Sequence, residues 1–221
     1  MSVLEEGLLH YITREQLDKL HRTRVLIIGA GGLGSNVAFM LVRSGIRQLI
    51  LADHDTVAPS NLNRQTYFPD DVGKQKVEAL AKHLLKLEAE LKPECHAVEV
   101  TSENVGIFFA KADIIVEAVD LAPVKVMLCE AAAAITKPFI TASGITGLGQ
   151  SYQSDMRVRR MGTHIFCVGD YQPHDSDGAP PFAPRVIQAA AMQANLVLQY
   201  ILQEEQYKED QNHESRNRIQ R

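Results

Sequence analysis

Short apolar runs rich in β-branched residues alternate with amphipathic segments along the first two thirds of the chain. The run "RVLIIG" ends in glycine, as buried parallel strands often do before a turn, and four comparable runs follow it. The predicted strands are residues 24–29, 48–53, 94–100, 112–119 and 138–143. Helical spacing predicts helices within residues 12–23, 34–45, 73–91 and 124–135, the first with Thr13 as its N-cap. This alternation indicates βαβ units with right-handed crossovers and a parallel sheet.

The pattern changes after residue 143. "YQSDMRVRR" and "HIFCVGD" favour two short strands that extend the sheet in antiparallel fashion, and residues 184–203 form an apolar helix that we expect to cover it. We therefore predict an α/β fold, a doubly wound, Rossmann-like and mostly parallel sheet. A single domain spans 1–206, with a helical lead-in (1–23), a core (24–143) and an extension (144–206), before a polar tail at 207–221.

Composition narrows the class of protein. The 221 residues are 45% hydrophobic and 23% charged with a net charge of −4, which gives no basic field for nucleic acid or an anionic membrane. No basic, apolar leader is visible at the start, and the most apolar late segment is interrupted by Gln and Asn. Three cysteines form no C-x-x-C pair. We expect a globular protein of the reducing cytoplasm.

A glycine-rich turn directly follows the first predicted strand. Gly29-Ala30-Gly31-Gly32-Leu33-Gly34 fits G-x-G-x-x-G and opens a helix, whose free N–H groups and dipole favour a phosphate. Asp53 ends the next strand, where such folds place the acid that binds a ribose. The pattern predicts a nucleotide site and leaves open whether the nucleotide is NAD or ATP.

The stretch "ADHDTVAPSNLNRQTYF", residues 52–68, favours ATP. A long loop leads from Asp53 to Arg64, and Lys76 follows near the start of a helix. Two cations above a phosphate-binding turn suit a triphosphate and its developing negative charge. Alternatively, Lys76 is a solvated lysine on an exposed face and Arg64 a structural ion-pair partner.

A further acid follows the fourth predicted strand. Asp120 ends "DIIVEAVD" at the same sheet edge, where a carboxylate beside a triphosphate is placed to hold Mg²⁺. It is equally suited to cap the following helix, and the two roles are compatible.

Four blocks together resemble one family. "RVLIIGAGGLGSN", "LADHDTVAPSNLNRQ", "VGKQKVEAL" and "DIIVEAVD" look like the signature blocks of the ThiF/MoeB/HesA family, bacterial relatives of ubiquitin-activating enzymes. "HIFCVGD" and "APRVIQAAAMQANLVL" are similar to a short ThiF subgroup linked to thiamine biosynthesis. The resemblance implies an adenylyltransferase that uses ATP and Mg²⁺ to activate the C-terminal glycine carboxylate of a small sulfur carrier ending in Gly-Gly, and a homodimer.

The resemblance also implies residue roles. Gly32 would lie against the nucleotide and Asp53 on the ribose, while Lys76 would stabilise charge as the carrier carboxylate attacks the α-phosphorus. Asp120 would hold the magnesium. The residues expected to contact the phosphates or orient their loop are Ser60, Asn61, Asn63 and Arg64.

Three differences between this sequence and the family pattern limit what the resemblance implies. The chain lacks the two C-x-x-C pairs of many relatives, so we predict no zinc. Leu121 stands where many relatives have Asn, which removes a minor nucleotide contact. No R-Y-x-R-Q block is recognisable at the N-terminus, and Arg14 or Arg22 is the candidate to replace the arginine that reaches the partner's site.

The cysteines and histidines give weaker signals. Cys167 in "HIFCVGD" is the candidate for a covalent role, since some relatives use a cysteine after the nucleotide domain, but an inert cysteine is the default in an apolar segment. Cys95 and Cys129 are expected to be structural, and His164 and His174 to be neither bases nor ligands.

Three functions remain open. The first is adenylation of a sulfur carrier such as ThiS. The second is activation of another carboxylate, such as the molybdopterin sulfur carrier or a modified tRNA adenosine. The third is a dinucleotide-binding redox or sensor protein, in which Arg64 and Lys76 would be incidental.

Overall fold

A computed structural model describes residues 1–143, 145, 156–171 and 180–203. Its strands are β1 (Arg24–Ile28), β2 (Gln48–Ala52), β3 (Lys92–His96), β4 (Ile114–Glu117), β5 (Phe139–Ala142), β6 (Arg157–Met161) and β7 (Ile165–Gly169). Its helices are α1 (Val3–Leu8), α2 (Arg14–Arg22), α3 (Gly32–Arg43), α4 (Lys76–Leu87), α5 (Val105–Lys111), α6 (Ala122–Ala133) and α7 (Ala183–Leu202). Two single 3₁₀ turns, Pro59–Asn61 and Pro69–Asp71, lie in the loop between β2 and α4.

The seven strands form one sheet in the order β3-β2-β1-β4-β5-β7-β6. All neighbours are parallel except β6 and β7, which are antiparallel. The predicted α/β fold with an antiparallel extension is thereby confirmed. The chain runs outward from β1 to β3 and then returns to β4 on the other side of β1, so the strand order reverses between β1 and β4. Ligands of such sheets bind at the carboxyl ends of the strands beside this reversal.

Two hydrophobic cores lie on opposite faces of the sheet because successive strand residues point to opposite sides. Val25 and Ile27 of β1 belong to one core, and Leu26 and Ile28 belong to the other. Helices α3, α4 and α7 contribute buried residues to the first core, and α5 and α6 to the second. Helix α7 packs against α3 and β5 through small side chains such as Ala190, as the sequence predicted for a covering helix.

Some element boundaries differ from the sequence predictions. Strand β3 spans Lys92–His96 and not residues 94–100, because its pairing with β2 starts at Gln48 opposite Lys92. Helix α4 ends at Leu87 and not at residue 91. Leu85 of this helix is 40% exposed and lies outside its buried face. Helices α1 and α5 were not predicted, since six and seven residues are too few to show helical periodicity.

The N-terminal part of the chain contains α2, the helix predicted with Thr13 as its N-cap. The Thr13 hydroxyl accepts a hydrogen bond from the backbone N–H of Gln16 while the Gln16 side chain accepts one from Thr13, which forms the expected cap of α2. Helix α1 is attached through Glu5, which is paired with Arg47 and Arg14.

None of the described helices is both long and apolar enough to cross a membrane. The predicted domain bounds stay a prediction. The polar tail at 207–221 and His174 lie outside the described residues.

Candidate nucleotide-binding site

Two glycines of the turn after β1 are required by close backbone packing. Gly29 has a φ of +94°, and a Cβ there would lie 2.6 Å from the carbonyl oxygen of Ala118. A Cβ on Gly34 would lie 1.8 Å from the carbonyl oxygen of Gly29. These glycines let β1, β4 and the start of α3 approach one another where the strand order reverses.

The other two glycines of the turn face a cavity of about 390 Å³. A Cβ on Gly31 would find no atom nearer than 3.8 Å, and Gly31 is the N-cap of α3 without a side-chain capping bond. A Cβ on Gly32 would approach Val186 at 3.0 Å. At Gly31 the turn therefore leaves open space beside the N-terminus of α3, which suits a phosphate group.

Asp53 lies in this cavity directly after β2. One carboxylate oxygen accepts a hydrogen bond from the N–H of Ala30 at 2.6 Å, and the other accepts one from the N–H of Asp55 at 2.7 Å. Each oxygen keeps a second lone pair, so the carboxylate can also accept hydrogen bonds from the hydroxyl groups of a ribose.

Lys76 also lines the cavity, and it is not a solvated lysine. Its side chain is 7% exposed, and its Nζ lies 2.6 Å from Oδ2 of Asp55. The N–H of Lys76 donates to the carbonyl of Asp55 as well, so this acid holds both the backbone and the ammonium group. Asp55 was not predicted as a site residue, although its D-x-D spacing from Asp53 was available as a signal.

Arg64 lines the cavity and lacks an acidic partner among the residues described. Its Nη1 donates to the carbonyl of Ser60 at 3.0 Å and to Oδ1 of Asn63 at 2.8 Å. Neither Ser60 nor Asn63 lines the cavity, whereas Asn61 does, with its Oδ1 bound to the N–H of Ala58. Ser60 and Asn63 therefore orient Arg64, which keeps its charge available to an anionic ligand.

Asp120 also lines the cavity. Strand β4 ends at Glu117, so Asp120 lies in the turn after the strand. The prediction that Asp120 ends this strand is therefore wrong. The N-cap of α6 is Leu121, so capping does not occupy this acid. The Asp120 side chain is exposed and has no hydrogen-bond partner within the described part of the chain. One free carboxylate facing a phosphate site fits Mg²⁺, which is usually bound by one or two carboxylates with phosphate and water.

A buried ion pair joins Glu117 to Lys125, which lines the cavity, and this pair was not predicted from the sequence. Glu117 is fully buried, and its two carboxylate oxygens lie 2.8 and 2.6 Å from Nζ of Lys125. Glu117 also accepts hydrogen bonds from the N–H of Val119 and from the hydroxyl of Thr141. It therefore fixes the turn that carries Asp120. The available signal was a charged residue inside a predicted buried strand.

None of the three cysteines lines the cavity. Cys167 is half-buried on β7 and does not line the cavity, so its covalent role stays a prediction. Burial raises the pKa of the Cys129 thiol and of the Cys95 thiol, although Cys95 is exposed overall and donates weakly to the carbonyl of Val77. Nε2 of His164 forms a hydrogen bond with the carbonyl oxygen of Ala132.

The N-terminal arginine candidates lie away from the cavity. Arg14 is paired with Glu5, which also binds Arg47 just before β2 starts. That group is near the amino ends of the strands, and the cavity is at their carboxyl ends. Arg22 is exposed at the end of α2. Within one chain, neither arginine contributes to the cavity.

The fold and the cavity define an α/β nucleotide-binding domain, in which Arg64, Lys76 and the carboxylate of Asp120 surround a glycine-rich turn. The chain belongs to the ThiF family, which it matches over residues 6–220. It is 32% identical over 193 residues to the sulfur carrier protein ThiS adenylyltransferase of Bacillus subtilis, which covers 85% of this chain and 56% of that protein. The chain thus spans little more than half the length of this relative.

Two solved structures show the same architecture. The tRNA N6-threonylcarbamoyladenosine dehydratase TcdA of Escherichia coli, in complex with AMP, superposes with a TM-score of 0.81 at 20% identity, covering 90% of this chain and 94% of that chain. At this identity the likeness concerns the fold alone. MccB of E. coli with ATP is 26% identical with a TM-score of 0.66, covering 85% of this chain and 59% of that chain.

Proposed function

We propose that this protein is an ATP-dependent adenylyltransferase that activates the C-terminal carboxylate of a small sulfur carrier protein. The observation that carries the proposal is the composition of one cavity. Arg64, Lys76 and the glycine turn would bind the phosphates, Asp53 the ribose, and Asp120 a divalent cation.

The reaction requires positioning and charge stabilisation, with no nucleophile from the protein. A carboxylate oxygen of the carrier attacks the α-phosphorus, and the bond from that phosphorus to the oxygen bridging to the β-phosphorus breaks. The products are the acyl adenylate and pyrophosphate. Lys76, held by Asp55, and Arg64 stabilise the negative charge that develops on the phosphate oxygens. Mg²⁺ bound at Asp120 would supply further neutralisation of the triphosphate.

The names of the relatives support the choice of substrate. The Bacillus relative is named for a sulfur carrier, ThiS, and the Escherichia structure of MccB contains ATP. We accordingly propose a ThiS-like carrier ending in Gly-Gly as the partner, thiamine biosynthesis as the context, a homodimer as the assembly and the cytoplasm as the location. The nucleotide site residues Gly29, Gly31, Gly32, Gly34, Ser60, Asn61 and Asn63 belong to the same proposal.

Exchange of labelled pyrophosphate into ATP tests this function. The protein is incubated with ATP, Mg²⁺ and candidate carriers ending in Gly-Gly. We expect exchange that needs the carrier and falls by about 100-fold in Arg64→Ala and in Asp120→Ala, because Arg64 would neutralise the developing charge and Asp120 would hold the cation that does so. Arg43→Ala and Asp18→Ala are matched controls, since both residues are exposed on helices outside the cavity. Absence of exchange with every carrier, combined with tight NAD binding, would contradict the proposal.

The same assay tests a second candidate, activation of a different carboxylate. MccB of E. coli has been solved together with MccA, so MccA is a further compound to include in the assay. Exchange with MccA and with no carrier would favour this alternative. A redox role is disfavoured because Arg64 and Lys76 both face the cavity and are therefore not incidental.

A further inference from the structure

Three side chains outside the cavity hold the loop of residues 64–67 against the glycine turn. Ser35 accepts a hydrogen bond from the N–H of Thr66 at 3.3 Å. Asn36 and Tyr67 make the other hydrogen bonds between this loop and the turn. We call Ser35, Asn36 and Tyr67 together the clasp. None of the three lines the cavity.

Tyr67 connects the turn to the first residue of α4. Its hydroxyl donates to the carbonyl of Ala30 at 2.7 Å and lies 3.2 Å from the carbonyl oxygen of Lys76. The side chain is 5% exposed, and burial, with nearby Asp53, raises the pKa of the phenol. The hydroxyl therefore stays protonated, as a donor must.

Asn36 connects the same turn to Arg64. Its side-chain amide donates to the carbonyl of Gly32 at 2.7 Å and to the carbonyl of Arg64 at 3.0 Å. One NH₂ group thus joins the backbone of the glycine turn to the backbone of the arginine.

We propose that Asn36 and Tyr67 are positioning residues that set the distance of Arg64 and Lys76 from the glycine turn. This inference rests on the proposed function, because it assumes that both cations act on the phosphates of ATP. A long cationic side chain stabilises a phosphate only if its backbone is held at the right distance, and misplacement by about 1 Å can cost a large factor in rate. The clasp fixes both backbones to the element that binds the phosphates.

Binding of ATP and of adenosine by Tyr67→Phe and Asn36→Ala tests the proposal. Both ligands use the ribose and base contacts, but only ATP uses the cations. We expect ATP affinity to fall three- to tenfold in each variant while adenosine affinity stays within twofold. A tenfold loss corresponds to about 1.4 kcal/mol. Tyr171→Phe is the matched control, because it also removes a hydroxyl bound to a backbone carbonyl, that of Cys167, outside the cavity.

Several outcomes would overturn the inference. Unchanged ATP affinity in both variants excludes positioning, and equal losses of ATP and adenosine affinity indicate general damage to the fold. A wild-type protein that binds no ATP also removes its basis. If the wild type binds ATP but shows no carrier-dependent exchange, the proposed adenylation fails, and the comparison of ATP with adenosine still tests the clasp. Thermal unfolding of each variant shows that it is folded.

Discussion

The glycines of the turn differ in what a methyl group would meet. At Gly34 an added Cβ would lie 1.8 Å from a carbonyl oxygen of the same turn, a distance at which backbone must move. At Gly31 it would project toward the cavity, with no atom nearer than 3.8 Å. One glycine is therefore needed for folding and the other for the space that a ligand would occupy.

Gly34→Ala and Gly31→Ala are expected to separate these two requirements. Gly34→Ala should lower the free energy of unfolding by about 1–3 kcal/mol or more, because overpacking against rigid backbone cannot be relieved. Gly31→Ala should leave stability nearly unchanged and weaken ATP binding. Urea denaturation and nucleotide titration of both variants measure the two effects. Equal destabilisation by both substitutions would contradict the assignment.

At the scale of elements, short helices depend on tertiary contacts for their position. Helix α1 has six residues, too few to be stable alone. Its Glu5 is buried against Arg47, which also binds Glu88 at 3.3 Å after the end of α4. Arg47 therefore joins the lead-in helix to the sheet and to α4 through charges that are largely removed from water.

The attachment of α1 should depend on pH. The hydrogen bond from Arg14 and then that from Arg47 outweigh burial and lower the pKa of Glu5 from 4.5 to about 2. A lowered carboxyl pKa stabilises the fold above the unfolded value and loses this contribution as pH falls from about 4.5 toward 2. We expect Glu5→Gln to be less stable than wild type at pH 6, with the difference narrowing by pH 3. Urea denaturation at both values measures it.

Glu6→Gln provides the control for this pH effect. Glu6 is the exposed neighbour of Glu5 on the same helix and forms no ion pair within the described residues. Its substitution should leave stability close to wild type at both pH values. A Glu5→Gln deficit that stays constant from pH 6 to pH 3 would show that the ion pair is not its cause.

At the scale of the whole molecule, one sheet separates two cores and belongs to both. Leu80 of α4 is fully buried in the first core, and Phe139 of β5 is fully buried in the second. Alternate side chains of the same strands belong to the two cores. Loss of packing in one core therefore destabilises the strands on which the other core is built.

Leu80→Ala and Phe139→Ala should therefore shift a single unfolding transition. Each is expected to lower the free energy of unfolding, by about 2–5 and about 3–5 kcal/mol respectively, through lost burial and the cavity left behind. The chain has no tryptophan and six tyrosines, so circular dichroism and tyrosine fluorescence are the two probes. Their denaturation curves should coincide in wild type and in both variants. Separate transitions for the two cores would show that they unfold independently.

The sequence by itself determined the fold and much of the site because both follow from local order along the chain. Alternating strands and helices dictate a parallel sheet, and a parallel sheet brings the residues after its strands to one edge. Gly31, Asp53 and Asp120 were placed in this way, and the cavity contains all three. Asp55, the second aspartate of the D-x-D pair, was not assigned a role from the sequence.

Only the tertiary structure decided which side chains pair, because pairing depends on register and on the path of loops. Glu117 meets Lys125 through the position of α6 over β4, and Asp55 meets Lys76 across a loop of 20 intervening residues closed onto α4. Tyr67 reaches Ala30 for the same reason. A sequence states which charges are available, and the packing of helices on the sheet determines which of them have a charged partner and which, like Arg64 and Asp120, have none among the described residues.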